Sequence, residues 1–293
     1  MKPYIANSLL LFTAIVWGSG FVVTDIALKY LTAYQVMAGR FLLASIILII
    51  LFGYKLKKIT KSVIWKGATL GIILYIAFAL QTVGLQYTTP SKNAFLTAVN
   101  VIIVPIITYA IYKRRIDGYE IIGSILAIIG IGCLSLQDSF TMNIGDALSL
   151  ACAVGFAFDI FCTNLFVKKE DAILLTIIQF ITAAIISNLV VLIQGDAPLT
   201  LEKGGLYSVV YLAIFSTTIA YLFQNIANQY TTATKAAIIL SMESFFGMVM
   251  SVLFLHEILT TRMIIGAVLI LGAILIAEVK PAYPKKNIIK NIR

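Results

Sequence analysis

Apolar residues run along this chain in blocks of about twenty, separated by short polar interruptions. A helix that crosses a bilayer needs about 20 apolar residues. Read on that length, the blocks are Asn7–Asp25, Tyr34–Phe52, Lys66–Gln86, Ser91–Tyr112, Tyr119–Leu136, Gly145–Val167, Ile173–Gln194, Leu206–Ile226, Thr234–Leu255 and Met263–Val279. That makes ten spans of an all-α integral membrane protein. Lys55 to Lys61 is a basic interruption and Asp196-Ala197-Pro198 a polar break. No interruption has room for a soluble domain. The first block follows Lys2 closely and lacks a clear small-residue cleavage site, so the first helix is expected to be retained.

One polar interruption occurs twice. Leu85 to Asn100 reads LQYTTPSKNAFLTAVN, and Asn228 to Glu243 reads NQYTTATKAAIILSME. Gln86, Tyr87, Thr88, Thr89 and Lys92 recur as Gln229, Tyr230, Thr231, Thr232 and Lys235, a constant displacement of 143 residues. At the same displacement Gln81 falls on Gln224, Gly123 on Gly266 and Leu126 on Leu269. The pattern predicts a duplicated unit of five spans, with halves 1–140 and 141–293. Internal repeats in a membrane chain point to transporters.

Charge then sets an orientation. With the N-terminus inside, 17 Lys and Arg fall on inner segments. They include Lys55, Lys57, Lys58, Lys61 and Lys66, then Lys113 to Arg115, and a tail from Lys280 to Arg293. Only Lys29, Lys92, Lys203 and Arg262 fall outside, and Arg40 lies within a span. Positive residues favour the cytoplasmic side, so both termini are expected there, in a cell membrane. Five spans per half is an odd number, so the halves must face opposite ways, as an inverted repeat.

Composition agrees with a lipid solvent. The 293 residues are 60% hydrophobic and 12% charged, with mean hydropathy +0.99. A soluble chain carries about 25% charged residues. The net charge of +9 gathers at the inner face. Anionic lipids account for it there, and no nucleic acid is needed. Cys133, Cys152 and Cys162 all lie in apolar runs, without disulfide or zinc spacing, and read as small core residues. No cofactor or metal is implied.

Candidate site residues are those whose chemistry does not suit lipid. Asn100 and Glu243 are repeat mates about nine residues into their helices, hence near mid-depth. Asn93, Thr97 and Asn100 are spaced i, i+4, i+7 and form one polar stripe, which should face the bundle interior. Tyr75, Phe78 and Thr82 share a face of the third span, with Gln81 at its edge. Trp17 is central, with Phe156 as its mate. Aromatics with sparse amides suit an amphiphilic small-molecule pocket. Gln81, Asn100 and Gln224 read equally well as hydrogen-bonding glue between helices.

A charge in mid-span costs about 3 kcal/mol on insertion scales, so it demands a reason. Glu243 and Asp159 are the deep carboxylates. Either can serve the substrate or a proton path, or sit in a structural ion pair. Arg40 is a structural anchor or a holder of a substrate carboxylate. Gly123, Gly130, Gly266 and Gly272 read as close-packing positions, and Pro105 and Gly247 as places where helices bend.

Several stretches together resemble a known family. They are WGSGF (Trp17 to Phe21), Arg40-Phe41, GLQYTTPSKNAFL (Gly84 to Leu96), Pro105, and Leu255-His256-Glu257 before the last span. In this order they resemble the EamA-type branch of the drug/metabolite transporter superfamily, along essentially the whole chain. His256 stands where that family often has Gly, and Asp25 where a basic residue is frequent. The resemblance implies a five-plus-five inverted bundle that moves small metabolites, often amino acids or related amphiphiles, commonly outward.

The rival classes are an intramembrane enzyme and a non-transporting membrane subunit or channel. Catalysis needs convergent acid, base or metal groups. The single histidine, His256, lies at a helix end beside Glu257, and no phosphate loop or nucleophile elbow is present. Nor is there a segment to carry ATP.

Overall fold

The computed structural model describes residues 3–113, 118–135, 142–195 and 203–278. Arg114, Arg115, Leu136, the 196–198 break and the basic tail lie outside the described residues.

The described chain is helical. Helices α1 Pro3–Ala27, α2 Ala33–Phe52 and α3 Lys61–Leu85 come first. Then follow α4 Pro90–Thr97, α5 Asn100–Tyr112, α6 Gly118–Ser135, α7 Ile144–Phe166 and α8 Ala172–Gln194. Last are α9 Lys203–Tyr211, a π-helical segment Leu212–Ile219, α10 Ala220–Asn228, α11 Ala233–Leu255 and α12 Thr261–Glu278. Among the described residues, eight helical runs are long and apolar enough to cross a membrane. The stretch Thr261–Ala273 of α12 is a shorter apolar helix.

Two expected spans are not continuous. The fourth breaks at Ala98-Val99, where N–H groups of Val99, Val101 and Ile102 bond three residues back instead of four. The eighth passes through the π segment between α9 and α10. The basic interruption after α2 is no open loop either: Gly53–Lys58 forms a 3₁₀ turn and Lys61 already begins α3.

Polar residues punctuate the helices. Thr32 and Gln35 form a capping box at α2. In the duplicated stretch, Thr89 accepts from the Lys92 N–H and Thr232 from the Lys235 N–H. The two threonines are therefore equivalent N-caps, of α4 and of α11. The other ends match as well. Lys113 after α5 and His256 after α11 both take left-handed backbone, φ 51° and 54°, and they too are 143 residues apart.

Packing is by close helix pairs: α6 on α12, α1 on α11, α3 on α7 and α8, and α2 on α8 and the π segment. Glycine sets some of these distances. A Cβ on Gly71 would lie 2.5 Å from the Gln179 carbonyl oxygen, and one on Gly130 3.0 Å from that of Gly266. Gly247, expected to soften α11, instead lets that unbroken helix approach Gly18 and Ala94. Gly272, expected at a close contact, faces open space.

Polarity is arranged for lipid. Ile50, Leu51, Ile128, Ile193 and Val268 lie exposed on the outside. Asn93, Asp159, Gln179, Gln224 and Asn228 are buried within. Exposed apolar area on this scale is stable only in an apolar solvent. At the centre an aromatic cluster joins α2, α3, α7, α8 and α10. Phe41 to Phe78 is 5.5 Å between ring centroids, Phe78 to Phe156 5.1 Å, and Phe180 to Tyr221 5.5 Å.

Candidate functional site

A cavity lies beside that aromatic cluster. α1 supplies Trp17, Gly20, Phe21 and Thr24, and α2 supplies Arg40. α3 gives Phe78, Gln81 and Thr82, and the broken fourth span gives Asn93, Thr97 and Asn100. Opposite stand Phe156 and Asp159 of α7, Ser216 of the π segment, Tyr221 and Gln224 of α10, and Glu243 of α11. Its open volume is about 40 Å³, room for a few waters. A metabolite needs these walls to part.

Eight of the nine residues singled out from the sequence meet here: Trp17, Arg40, Phe78, Gln81, Asn100, Asp159, Gln224 and Glu243. Tyr75 does not. It lies one turn before Phe78 along α3, partly buried and packed against the aromatic cluster. The Asn93–Thr97–Asn100 stripe does face inward, despite the break that follows Thr97.

The polar groups around the site are satisfied to different degrees, and Asn93 Oδ1 is buried without a partner. Toward α4, Gln81 Nε2 donates to Thr97 Oγ1 at 3.2 Å, and Asn93 Nδ2 to Ser149 Oγ at 2.8 Å. The glue role fits these residues. Gln224 is another matter: it is fully buried, and neither side-chain atom has a partner. Asn100 Oδ1 is likewise unpaired. Buried amides are normally bonded, so these mark places that water or a ligand can satisfy.

The charged groups separate as well. Asp159 Oδ1 accepts from Gln179 Nε2 at 3.0 Å, and Gln179 Oε1 accepts a 3.4 Å bond from Asn225 Nδ2. Glu243 has no ion pair among the described residues, although it is 5% exposed. That disfavours the structural ion pair considered from sequence. No group of three or more His, Cys, Asp or Glu side chains suited to a metal occurs among the described residues.

Sequence reasoning missed Ser216 and Tyr221. Both had a signal. Ser216-Thr217-Thr218 is a polar triplet inside an apolar run, and Tyr221, Gln224, Asn225 and Asn228 share one helical face.

The whole chain can now be compared with known proteins. A family model described as EamA-like transporter family matches residues 4–136 and 143–278. The chain belongs to the EamA-like transporter family. An "Uncharacterized transporter" of Archaeoglobus fulgidus is 32% identical over 96% of this chain and 88% of its own length. A "Probable amino-acid metabolite efflux pump" of Escherichia coli is 27% identical, covering 92% of this chain and 93% of its own. Among solved structures, one titled "Crystal structure of protein" has a TM-score of 0.68 at 15% identity, covering 93% of this chain and 96% of that one. At that identity the likeness concerns the fold alone. This EamA chain is thus a multi-pass membrane transporter with its central cavity walled by eight helices and the π segment.

Proposed function

We propose that this protein is a secondary transporter exporting small amphiphilic metabolites, such as amino acids, by alternating access around the central cavity. The observation that carries the reading is the cavity itself. It gathers repeat mates from both halves, Gln81 with Gln224 and Asn100 with Glu243, beside an aromatic wall. Aromatic surface suits an apolar side chain, and sparse polar groups suit a charged end. The Escherichia coli relative, named for amino-acid metabolites, supports the substrate class.

The architecture in this reading is ten spans in two inverted five-helix halves, 1–140 and 141–293. Pairing supports it. α3 rests on α7 as α1 rests on the α9–α10 run, while α2 with α8 and α6 with α12 pair mate to mate. Inversion lets the two halves exchange conformations, which opens the site to either side in turn.

Below the cavity a column of buried polar groups continues toward the Thr231 end of the bundle. Thr163 Oγ1, both Asn228 side-chain atoms and Thr231 Oγ1 have no hydrogen-bond partner. We read this column as the closed half of the path, hydrated when the bundle tips the other way. Unpaired buried groups are expensive in a permanently closed core.

The termini and the Lys55–Lys66 segment are placed in the cytoplasm, in a cell membrane. A cysteine at position 58, in an otherwise cysteine-free chain, should resist an impermeant reagent applied to intact cells. Labelling from outside would reverse the orientation. The transport reading itself is tested by substrate counterflow in liposomes, after metabolite levels in cells with and without the protein have nominated substrates. Absence of counterflow for every nominated compound would favour the enzyme or subunit class.

A further inference from the structure

Arg40 is a buried cation without an anion. It is 2% exposed and lines the cavity. Among the described residues it forms no ion pair. Its partners are neutral. Nε donates to Thr217 Oγ1 at 3.0 Å, and Nη2 to Ser216 Oγ at 3.3 Å. The guanidinium carbon stands 4.3 Å from the centroid of the Phe78 ring. These three contacts fix the plane of the group.

They also leave part of it unused. A guanidinium has five N–H donors in a rigid fork. Nη1 has no hydrogen bond among the described residues. It is also absent from the fully enclosed atoms that lack a partner. The free edge of the fork is therefore accessible from the cavity. A planar two-pronged edge matches a carboxylate, and charge-assisted bonds of this kind are about twice as strong as neutral ones. Ser216 adds a hydroxyl at the same wall.

We infer that Arg40, held in place by Ser216, Thr217 and Phe78, is the subsite that binds the carboxylate of the substrate. This rests on the transport reading of the cavity and narrows it. The ligand class becomes amphiphilic monocarboxylates, with an apolar body against Phe78, Phe156 and Trp17. Asp159 and Glu243 lie in the same cavity and supply the opposite charge for an ammonium, so α-amino acids fit as zwitterions. The alternative for Arg40 is a tie between α2 and the π segment, with no ligand role. Such a tie would be indifferent to the chemistry of the ligand's end group.

The test uses purified protein in detergent and matched probes: leucine, methionine and phenylalanine, each against its own amide. Binding is read as ligand-induced stabilisation against heat. At least one acid should bind, and its amide should bind tenfold or more weakly. Arg40→Gln should remove that discrimination, and Arg40→Lys should restore part of it. If Arg40→Gln does not fold, the acid–amide comparison on the unaltered protein still decides. Equal binding of acid and amide, no binding of any acid, or full discrimination in Arg40→Gln would each overturn the inference. Liposome counterflow separates the two levels. Flux that ignores the acid–amide difference sinks the subsite and leaves the transporter, whereas Arg40-dependent binding without flux does the reverse.

Discussion

The indole Nε1 of Trp17 donates a 2.9 Å hydrogen bond to the main-chain oxygen of Ser216. That oxygen is available because the backbone there is not α-helical. The N–H of Ala220, which would bond Ser216 in an α-helix, bonds Phe215 and Thr217 instead. The π segment thus turns one carbonyl toward α1 and two hydroxyls, of Ser216 and Thr217, toward Arg40. π segments occur preferentially at functional sites.

Trp17→Phe keeps an aromatic ring and removes the donor. A buried carbonyl then loses a partner, which costs about 1–3 kcal/mol. The expected outcome is a lower melting temperature in detergent, together with a larger proportional loss of counterflow than of stability. An unchanged melting curve would mean that the bond contributes nothing.

His256 explains a departure from the family pattern. Its φ of 54° lies where residues with a Cβ are strained and Gly is not. The Gly common at this position in the family therefore answers a backbone need at the end of α11. His256→Gly should stabilise the protein by about 1 kcal/mol, read as a raised melting temperature. A fall would show that the imidazole makes a contact worth more than the strain.

At one end of the bundle, the turn after α2 and the start of α3 are tied to the α7–α8 connection. Lys55 Nζ meets Asp171 at 2.6 Å, and Glu170 accepts from Lys66 and from Ser62. The Lys66 hydrogen bond, then that of Ser62, lowers the Glu170 carboxyl below its ordinary range. Burial raises the Asp171 carboxyl, but Lys55 and the N–H groups of Leu174 and Ile173 outweigh it, so the net direction is down. Carboxyls that titrate lower when folded stabilise above the unfolded value, about 4, and lose that contribution as pH falls through the folded value. Acidification from about pH 5 to about pH 3 should therefore cost the unaltered protein more stability than it costs Glu170→Gln/Asp171→Asn. Equal losses would mean that the ties do not persist in solution.

Much of the bundle was legible because lipid is a strict solvent. Apolar length located the helices, and polar side chains that lipid cannot satisfy marked the inward faces. That is why Asn93, Thr97, Gln81, Gln224 and Glu243 could be assigned to the interior from sequence. Irregular backbone left a weaker trace. Nothing in Leu212–Ile219 breaks the apolar pattern except the Ser216–Thr218 triplet, so the π segment and its claim on Arg40 and Trp17 were invisible. The break after Thr97 was hidden too, because Ala98 and Val99 are ordinary helical residues. Tyr75 lies outside the cavity lining for a different reason. Its helical face was right, but depth along that face decides whether a ring meets the cavity or the packed cluster beside it.

Glu243 stands 143 residues after Asn100, a carboxylate where the earlier stretch has an amide. Both side chains line the cavity, but only one is ionisable. Without an ion pair among the described residues, the carboxylate has two uses open to it: a counter-charge for a substrate ammonium, or a proton carrier. Glu243→Gln preserves shape and removes charge, so packing loss does not confuse the comparison. As a counter-charge, its loss should weaken binding of amino compounds tenfold or more, with little response of flux to an imposed pH gradient. As a proton carrier, its loss should abolish gradient-driven uptake and leave equilibrium exchange intact. Exchange and gradient-driven uptake must be measured separately, at matched protein levels in liposomes. The Arg40 subsite gives an internal control. A substrate's amide probes the cation end of the site, and its deaminated acid probes the anion end. In Glu243→Gln the deaminated acid should bind as it does to the unaltered protein, while the amino acid weakens. Rates and affinities equal to those of the unaltered protein in every assay would make Glu243 a structural residue.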